Sequence, residues 1–309
     1  MTDITHRLAF GDMAETQHRI SAWWVLPISA IVWWACGFLP WIAQLSYQVT
    51  GLARASDAAA AGILPLPFTA DGAVVGLVVM ALMGGLLAGV TARLPASAGA
   101  GAGAAIAGTL LGMAGAAGSS WWLAAGATVP GDAMPFGMLL VTVGAGLVGL
   151  AAGLLAGIGP AALRGVALAL PVVLLDGWLW GLLPGNDVSP TGSWWVLATA
   201  LGVAFGLCVD GKPLDLLGWL PAAGTVWVLQ SAGPALLTVQ ENIWPGSALT
   251  ENPLSAAGIA GREIASAALT TEGHQLGAWV VALLLGAAIA ALRLSREAGE
   301  ESELSEAWA

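Results

Sequence analysis

The sequence predicts an all-α, polytopic integral membrane bundle of about eight transmembrane helices with both termini cytoplasmic, and three observations carry that prediction. The chain has 309 residues, 58% of them hydrophobic and 9% charged, with a mean hydropathy of +0.82. A water-soluble domain needs far more charge to cover its surface. Nine Lys and Arg residues stay almost entirely outside the long apolar stretches. Many of the tryptophans stand near the ends of those stretches, where an amphipathic indole favours the membrane interface.

A helix crossing the hydrocarbon core needs roughly 20 mostly apolar residues, because about 30 Å is covered at about 1.5 Å per residue. The first window is 21–42, entered through Trp23 and Trp24 and left at Trp41, with Trp33 and Trp34 deeper inside. The second, 73–90, stops before Arg93; the third, 101–123, starts in an Ala/Gly run and ends at Trp121 and Trp122. The fourth, 136–158, follows the turn signal Pro130-Gly131-Asp132 and precedes Arg164. The fifth, 166–183, contains Trp178 and Trp180 and ends in Pro184-Gly185-Asn186-Asp187. A short sixth window, 194–209, precedes Lys212; the seventh, 214–237, holds Pro221 and Pro234; a short eighth, 276–292, ends at Arg293 and Arg296.

Short cytoplasmic loops retain Lys and Arg, so these positions also set the orientation. With the amino terminus inside, Arg7, Arg19, Arg93, Arg164, Lys212, Arg293 and Arg296 are all cytoplasmic and only Arg54 and Arg262 are external. An even number of spans is the consistent solution. The organisation expected is a cytoplasmic segment 1–20, a bundle 21–292 with long external loops 44–72 and 238–275, and an acidic, disordered cytoplasmic tail 293–309. Segments 53–61 and 256–269 of the two loops have the composition of short helices lying on the membrane.

Small residues recur four apart in the even-numbered spans: Gly85 and Gly89, Gly153 and Gly157 with Gly149 one turn earlier, and Gly202 and Gly206. Such residues share one helical face and let another backbone approach closely. Each set precedes a basic residue, which reads as a faint parallel repeat of hairpins.

A carboxylate inside a membrane helix is costly unless paired, hydrated or protonated, so Asp176 in the fifth span is the sharpest candidate for a substrate or ion path. Pro171, five residues earlier, cannot donate to the Ala167 carbonyl. Asp215, Gln230 and the two prolines make the seventh span the next candidate, with a break in the helix expected. Asp176 and Gln230 have compatible depths for one polar pocket if the fifth and seventh helices touch.

Other chemistry is not indicated. His6 and His18 are assigned to one side and His274 to the other, so no zinc-ligating pattern arises; no phosphate loop, nucleophile elbow or zinc-protease helix is found, and no cofactor is expected. A formal charge of −10 argues against nucleic-acid binding. The leading functional expectation is a noncatalytic membrane subunit or scaffold of a larger envelope or transport complex. Its partners would be the lipid bilayer and other membrane subunits or further copies of the chain. The alternatives are a transporter or channel for a small or lipid-like substrate, and an intramembrane enzyme acting on a lipid-linked substrate. Abundant Ala and Gly with a single Lys suggest a bacterial cytoplasmic membrane.

Cysteines placed singly at Arg93 and Arg164, in a background without Cys36 and Cys208, should both react with impermeant reagent only from the cytoplasmic side. Labelling from opposite sides would break the topology.

Overall fold

The computed structural model describes residues 20–43, 66–68, 74–127, 134–180, 182, 190–209, 213–241, 253–271 and 274–308. Its long elements are helices: α1 (Ala22–Ile31), α2 (Val74–Val90), α3 (Ala98–Ala127), α4 (Met134–Ile158), α5 (Ala161–Trp180), α6 (Pro190–Cys208), α7 (Trp219–Glu241), α8 (Pro253–Ala268) and α9 (Leu276–Trp308). The protein is a multi-helix membrane bundle. Four segments are long and apolar enough to cross a bilayer, Val74–Arg93, Ala98–Gly126, Pro135–Ile158 and Leu276–Arg296, and Ala22–Cys36 and Gly192–Cys208 are shorter apolar helices. Outward-facing side chains are themselves apolar: Leu111, Leu140, Leu284 and Leu292 are 57%, 57%, 68% and 63% exposed. Exposed leucine on this scale is costly in water and costs nothing against acyl chains.

Two hydrophobic cores divide the bundle. The first joins α1 to α4 around Trp33, Phe38, Leu77, Met80, Met113 and Met138, with Leu66 and Phe68 tucked against it. The Leu66 N–H donates to Ser120 Oγ at 2.9 Å and so holds that segment on α3. The second joins α5, α6, α7 and α9 around Val172, Leu201, Phe205, Val226, Ala278 and Ala282. Trp178 of α5 packs on the first core, and its indole N–H donates to the Gly37 carbonyl at 2.9 Å, linking the halves.

The closest pairing is α2 against α4. A methyl group on Gly85 would lie 2.7 Å from the Leu150 nitrogen, and one on Gly89 would lie 2.6 Å from the Leu150 carbonyl oxygen. From the other side, a methyl group on Gly153 would lie 2.9 Å from the Gly89 Cα, and one on Gly149 would lie 2.9 Å from the Leu82 carbonyl carbon. Backbone touches backbone here. The second half repeats the arrangement with side chains in the notch: α6 pairs with α9, and methyl groups on Gly202 and Gly206 would lie 2.8 Å from Leu285 Cδ2 and 2.6 Å from Ile289 Cβ.

The pairing α1 with α3 is likewise matched by α5 with α7. These two pairings recur between the halves, whereas α3 packs on α4 and α7 has no comparable packing on α9 among the described residues. α1 and α5 share a sequence frame: Leu26-Pro27 and Gly37-Phe38-Leu39-Pro40 correspond to Leu170-Pro171 and Gly181-Leu182-Leu183-Pro184, with Trp34 matching Trp178. Directly after α1 the frame encloses a π-helical turn, Val32–Cys36, in which Trp33 is fully buried.

Two expectations differ from the structure. The seventh span is not broken at its prolines. A 3-10 turn, Pro213–Gly218, precedes α7, which then runs unbroken from Trp219 to Glu241; Pro221 falls in its first turn, where a missing N–H costs no helical bond. The acidic tail is not a separate disordered segment, because α9 continues to Trp308. Its Ala, Leu, Arg and Glu residues are good helix formers, no proline intervenes, and only Gly299 opposes them. Of the two expected surface helices, 256–269 corresponds to α8, whereas 53–61 lies outside the described residues. α8 turns Ile264, Ala267 and Ala268 inward and leaves Arg262, Glu263 and Ser266 exposed, an amphipathic pattern packed on α7.

Gly89→Leu should lower the thermal midpoint of the detergent-solubilised protein, since overpacking costs about 1–3 kcal/mol and rigid backbone cannot yield. Gly103→Leu, where no atom lies within 4 Å, should leave it nearly unchanged.

Candidate functional site

Asp176 lies half-buried near the carboxyl end of α5 and accepts a 2.7 Å hydrogen bond at Oδ2 from Ser193 Oγ. Ser193 stands in the first turn of α6, whose opening Pro190 supplies a fixed φ where no N–H is needed. The hydroxyl provides one of the donors that a carboxylate requires away from bulk water. It also ties the end of α5 to the start of α6.

Between these helices runs an apolar groove of about 550 Å³. Leu168, Val172, Leu175 and Leu179 of α5 form one wall, and Trp195, Val203 and Leu207 of α6 form the other; Ala200 and Ala204 leave its floor open, and Thr199 is its one polar lining residue. From Leu168 to Leu179 the helix rises about 16 Å, roughly half the hydrocarbon thickness of a bilayer. Asp176 and Ser193 are not among the groove's lining residues; Asp176 lies between Leu175 and Leu179 in sequence and Ser193 two residues before Trp195, so the pair stands beside the Trp195 end of the groove rather than in it.

A second polar cluster lies where α7 meets the start of α9. The His274 ring is buried and stacks on Trp227, with centroids 3.6 Å apart and planes 9° apart. Its Nε2 lies 3.2 Å from the Trp227 carbonyl oxygen and 3.4 Å from Ser231 Oγ. A carbonyl only accepts, and Ser231 already donates its hydroxyl to the same carbonyl, so Nε2 carries the proton and donates to both oxygens. His274 Nδ1, Gln230 Oε1, Gln275 Oε1 and the Trp279 indole N–H are buried without a hydrogen-bond partner. Trp279 meets Trp227 edge to face at 5.5 Å, and the Trp227 N–H donates to the Ala268 carbonyl at 2.7 Å, seating the end of α8. Pro234 has no N–H for the Gln230 carbonyl four residues back, which adds a further acceptor in this turn.

α5 and α7 do touch, but no hydrogen bond joins Asp176 to Gln230: Asp176 turns to α6, and Gln230 Oε1 is buried without a partner. Asp215 lies in the 3-10 turn before α7, whereas Gln230 lies midway along that helix. Gly157 faces the Arg93 side chain, a methyl there coming 3.3 Å from Cγ. Arg293 donates from Nη1 to the Val209 and Gly206 carbonyls, 2.7 and 3.3 Å away, at the carboxyl end of α6, where a cation also suits the helix dipole. Among the described residues no group of three or more His, Cys, Asp or Glu could hold a metal. Ser193, Ser231, His274, Gln275 and Trp279 were not singled out from sequence; a His-Gln pair opening an apolar helix was the available signal.

No protein family matches the chain, and no curated protein or solved structure is significantly similar to it.

Replacing Trp227 by Phe removes the bond to Ala268, worth about 1 kcal/mol. Amide hydrogen exchange in α8 should then accelerate about fivefold, with α2 and α4 unchanged.

Proposed function

We propose that this chain spans the membrane eight times with both termini cytoplasmic and carries a lipid-like molecule, whose chain lies between α5 and α6 and whose polar end meets Asp176. The supporting observation is the leaflet-length apolar groove, with the Asp176–Ser193 pair lying beside its Trp195 end without lining it. Apolar walls suit a hydrocarbon chain and offer little to replace the hydration shell of a sugar or an ion. A single carboxylate and hydroxyl orient the polar end without demanding that a whole solute be desolvated.

The scaffold reading draws less from the geometry. It relied on small-residue faces meeting other subunits, but Gly85, Gly89, Gly149, Gly153, Gly157, Gly202 and Gly206 all face segments of their own chain. The enzyme reading relied on acids and tryptophans of the external loops, most of which lie outside the described residues. Alanine and glycine richness supports a bacterial cytoplasmic membrane as the site of action.

In proteoliposomes, translocation of a fluorescent lipid should require the protein. Ala204→Trp, which fills the groove, should slow it by about tenfold or more, as should Asp176→Asn, a loss of about 1.4 kcal/mol of barrier lowering. Both folded variants working at the wild-type rate would refute the proposal, and copurification of a stoichiometric membrane partner with no lipid movement would favour a scaffold.

A further inference from the structure

We propose that the α5–α6 groove is a blind-ended ruler that takes one hydrocarbon chain to a depth of about fourteen carbons, so that the lipid is selected by chain length. The ruler rests on the lipid-carrying role proposed for the same groove.

One end of the groove is shut by direct packing. Gly165 lies one turn before Leu168 on α5, and Cys208 directly follows Leu207 on α6. Both are buried, and a methyl group on Gly165 would lie 3.4 Å from Cys208 Sγ, 3.4 Å from Ala222 Cβ and 2.6 Å from the Gly218 carbonyl oxygen. α5, α6 and the start of α7 therefore meet just past the Leu168–Leu207 end. Trp219 holds this plug in place: its indole N–H donates to the Phe205 carbonyl at 2.9 Å, and its ring stacks on Phe205 with centroids 5.0 Å apart. A chain that went further would have to displace backbone. Toward the other end, the Asp176–Ser193 hydrogen bond ties α5 to α6 again, beside Trp195. Between the two ties, Ala200 and Ala204 leave the room that makes the groove.

Length and volume agree on the occupant. The α5 wall from Leu168 to Leu179 covers about 16 Å. An extended chain advances about 1.2 Å per bond, so about 13 bonds fit that length. If each carbon takes about the 30 Å³ of a water molecule, fourteen carbons need roughly 400 Å³ and two such chains roughly 800 Å³. The groove holds about 550 Å³, enough for one chain and too little for two. A second chain of the same lipid stays among the bilayer chains, past the exposed Val203 and Leu207. Hydrophobicity does not choose between chains here, because leaving the bilayer for the groove exchanges one apolar surrounding for another. Contact fit does: a shorter chain leaves the plug end untouched, and a longer one bends or protrudes past Trp195.

The test offers the full chain, in non-ionic detergent, an equimolar mixture of lysophosphatidylcholines spanning about ten to about eighteen carbons, and native mass spectrometry reads which are bound. A retained molecule with a maximum near fourteen carbons is expected, falling about fivefold toward either extreme. Ala204→Leu places bulk one turn from the plug and should move the maximum about four carbons shorter. Retention that rises steadily with chain length, or that mirrors the supplied mixture, overturns the ruler, and so does an unchanged maximum in folded A204L; the wild-type profile decides if the variant does not fold. Fluorescent-lipid translocation in proteoliposomes separates the two claims. Movement at one rate for all chain lengths refutes the ruler and leaves lipid carriage standing, whereas length-selective binding with no movement refutes carriage and leaves the ruler.

Discussion

Backbone contact between α2 and α4 is the constraint on which the rest of the bundle depends. In lipid there is no hydrophobic force to draw apolar helices together, because acyl chains are as apolar as leucine. Association must come from close van der Waals fit, and Gly85, Gly89, Gly149 and Gly153 supply it by removing the side chains that would hold the axes apart. That pair gives α1 and α3 a fixed surface. The same logic reaches the end of the π-helical turn that follows α1, where a methyl on Gly37 would lie 2.9 Å from the Gly84 nitrogen.

The second half solves the problem less tightly. Leu285 and Ile289 enter the notches of Gly202 and Gly206, and Arg293 holds the carboxyl end of α6, so α9 is pinned to α6 by side chains. α6 is then held on its α9 side while its Ala200 and Ala204 face α5 with space between them. The groove thus follows from an uneven distribution of small residues: where glycines meet glycines the helices close, and where alanines face leucines across a hairpin they do not.

Polar groups are concentrated near the end of α5, midway along α7 and at the start of α9, the half of the bundle with looser packing. Each is expensive in an apolar medium, and each has a distinct resolution. Asp176 is met by Ser193, His274 is oriented through one nitrogen, and two glutamine oxygens and an indole N–H are left open. Stability alone would favour apolar residues at those open positions.

Hydropathy and the basic residues of this sequence determine that the chain is a helical membrane protein and roughly where its helices lie, because burial in lipid is a property of each segment by itself. The small-residue spacing likewise reveals which helical faces permit close approach. Partner choice is not legible there. That Gly85 and Gly89 meet Gly149 and Gly153, that Asp176 meets Ser193 rather than Gln230, and that His274 stacks on Trp227 are relations between segments far apart in sequence. The sequence marks Pro221 and Pro234 as breaks and the acidic carboxyl end as disordered, whereas the structure carries both segments as continuous helix. Single-residue propensities decide locally, and only tertiary packing decides which helix faces which, because that choice is settled by shape fit summed over whole surfaces.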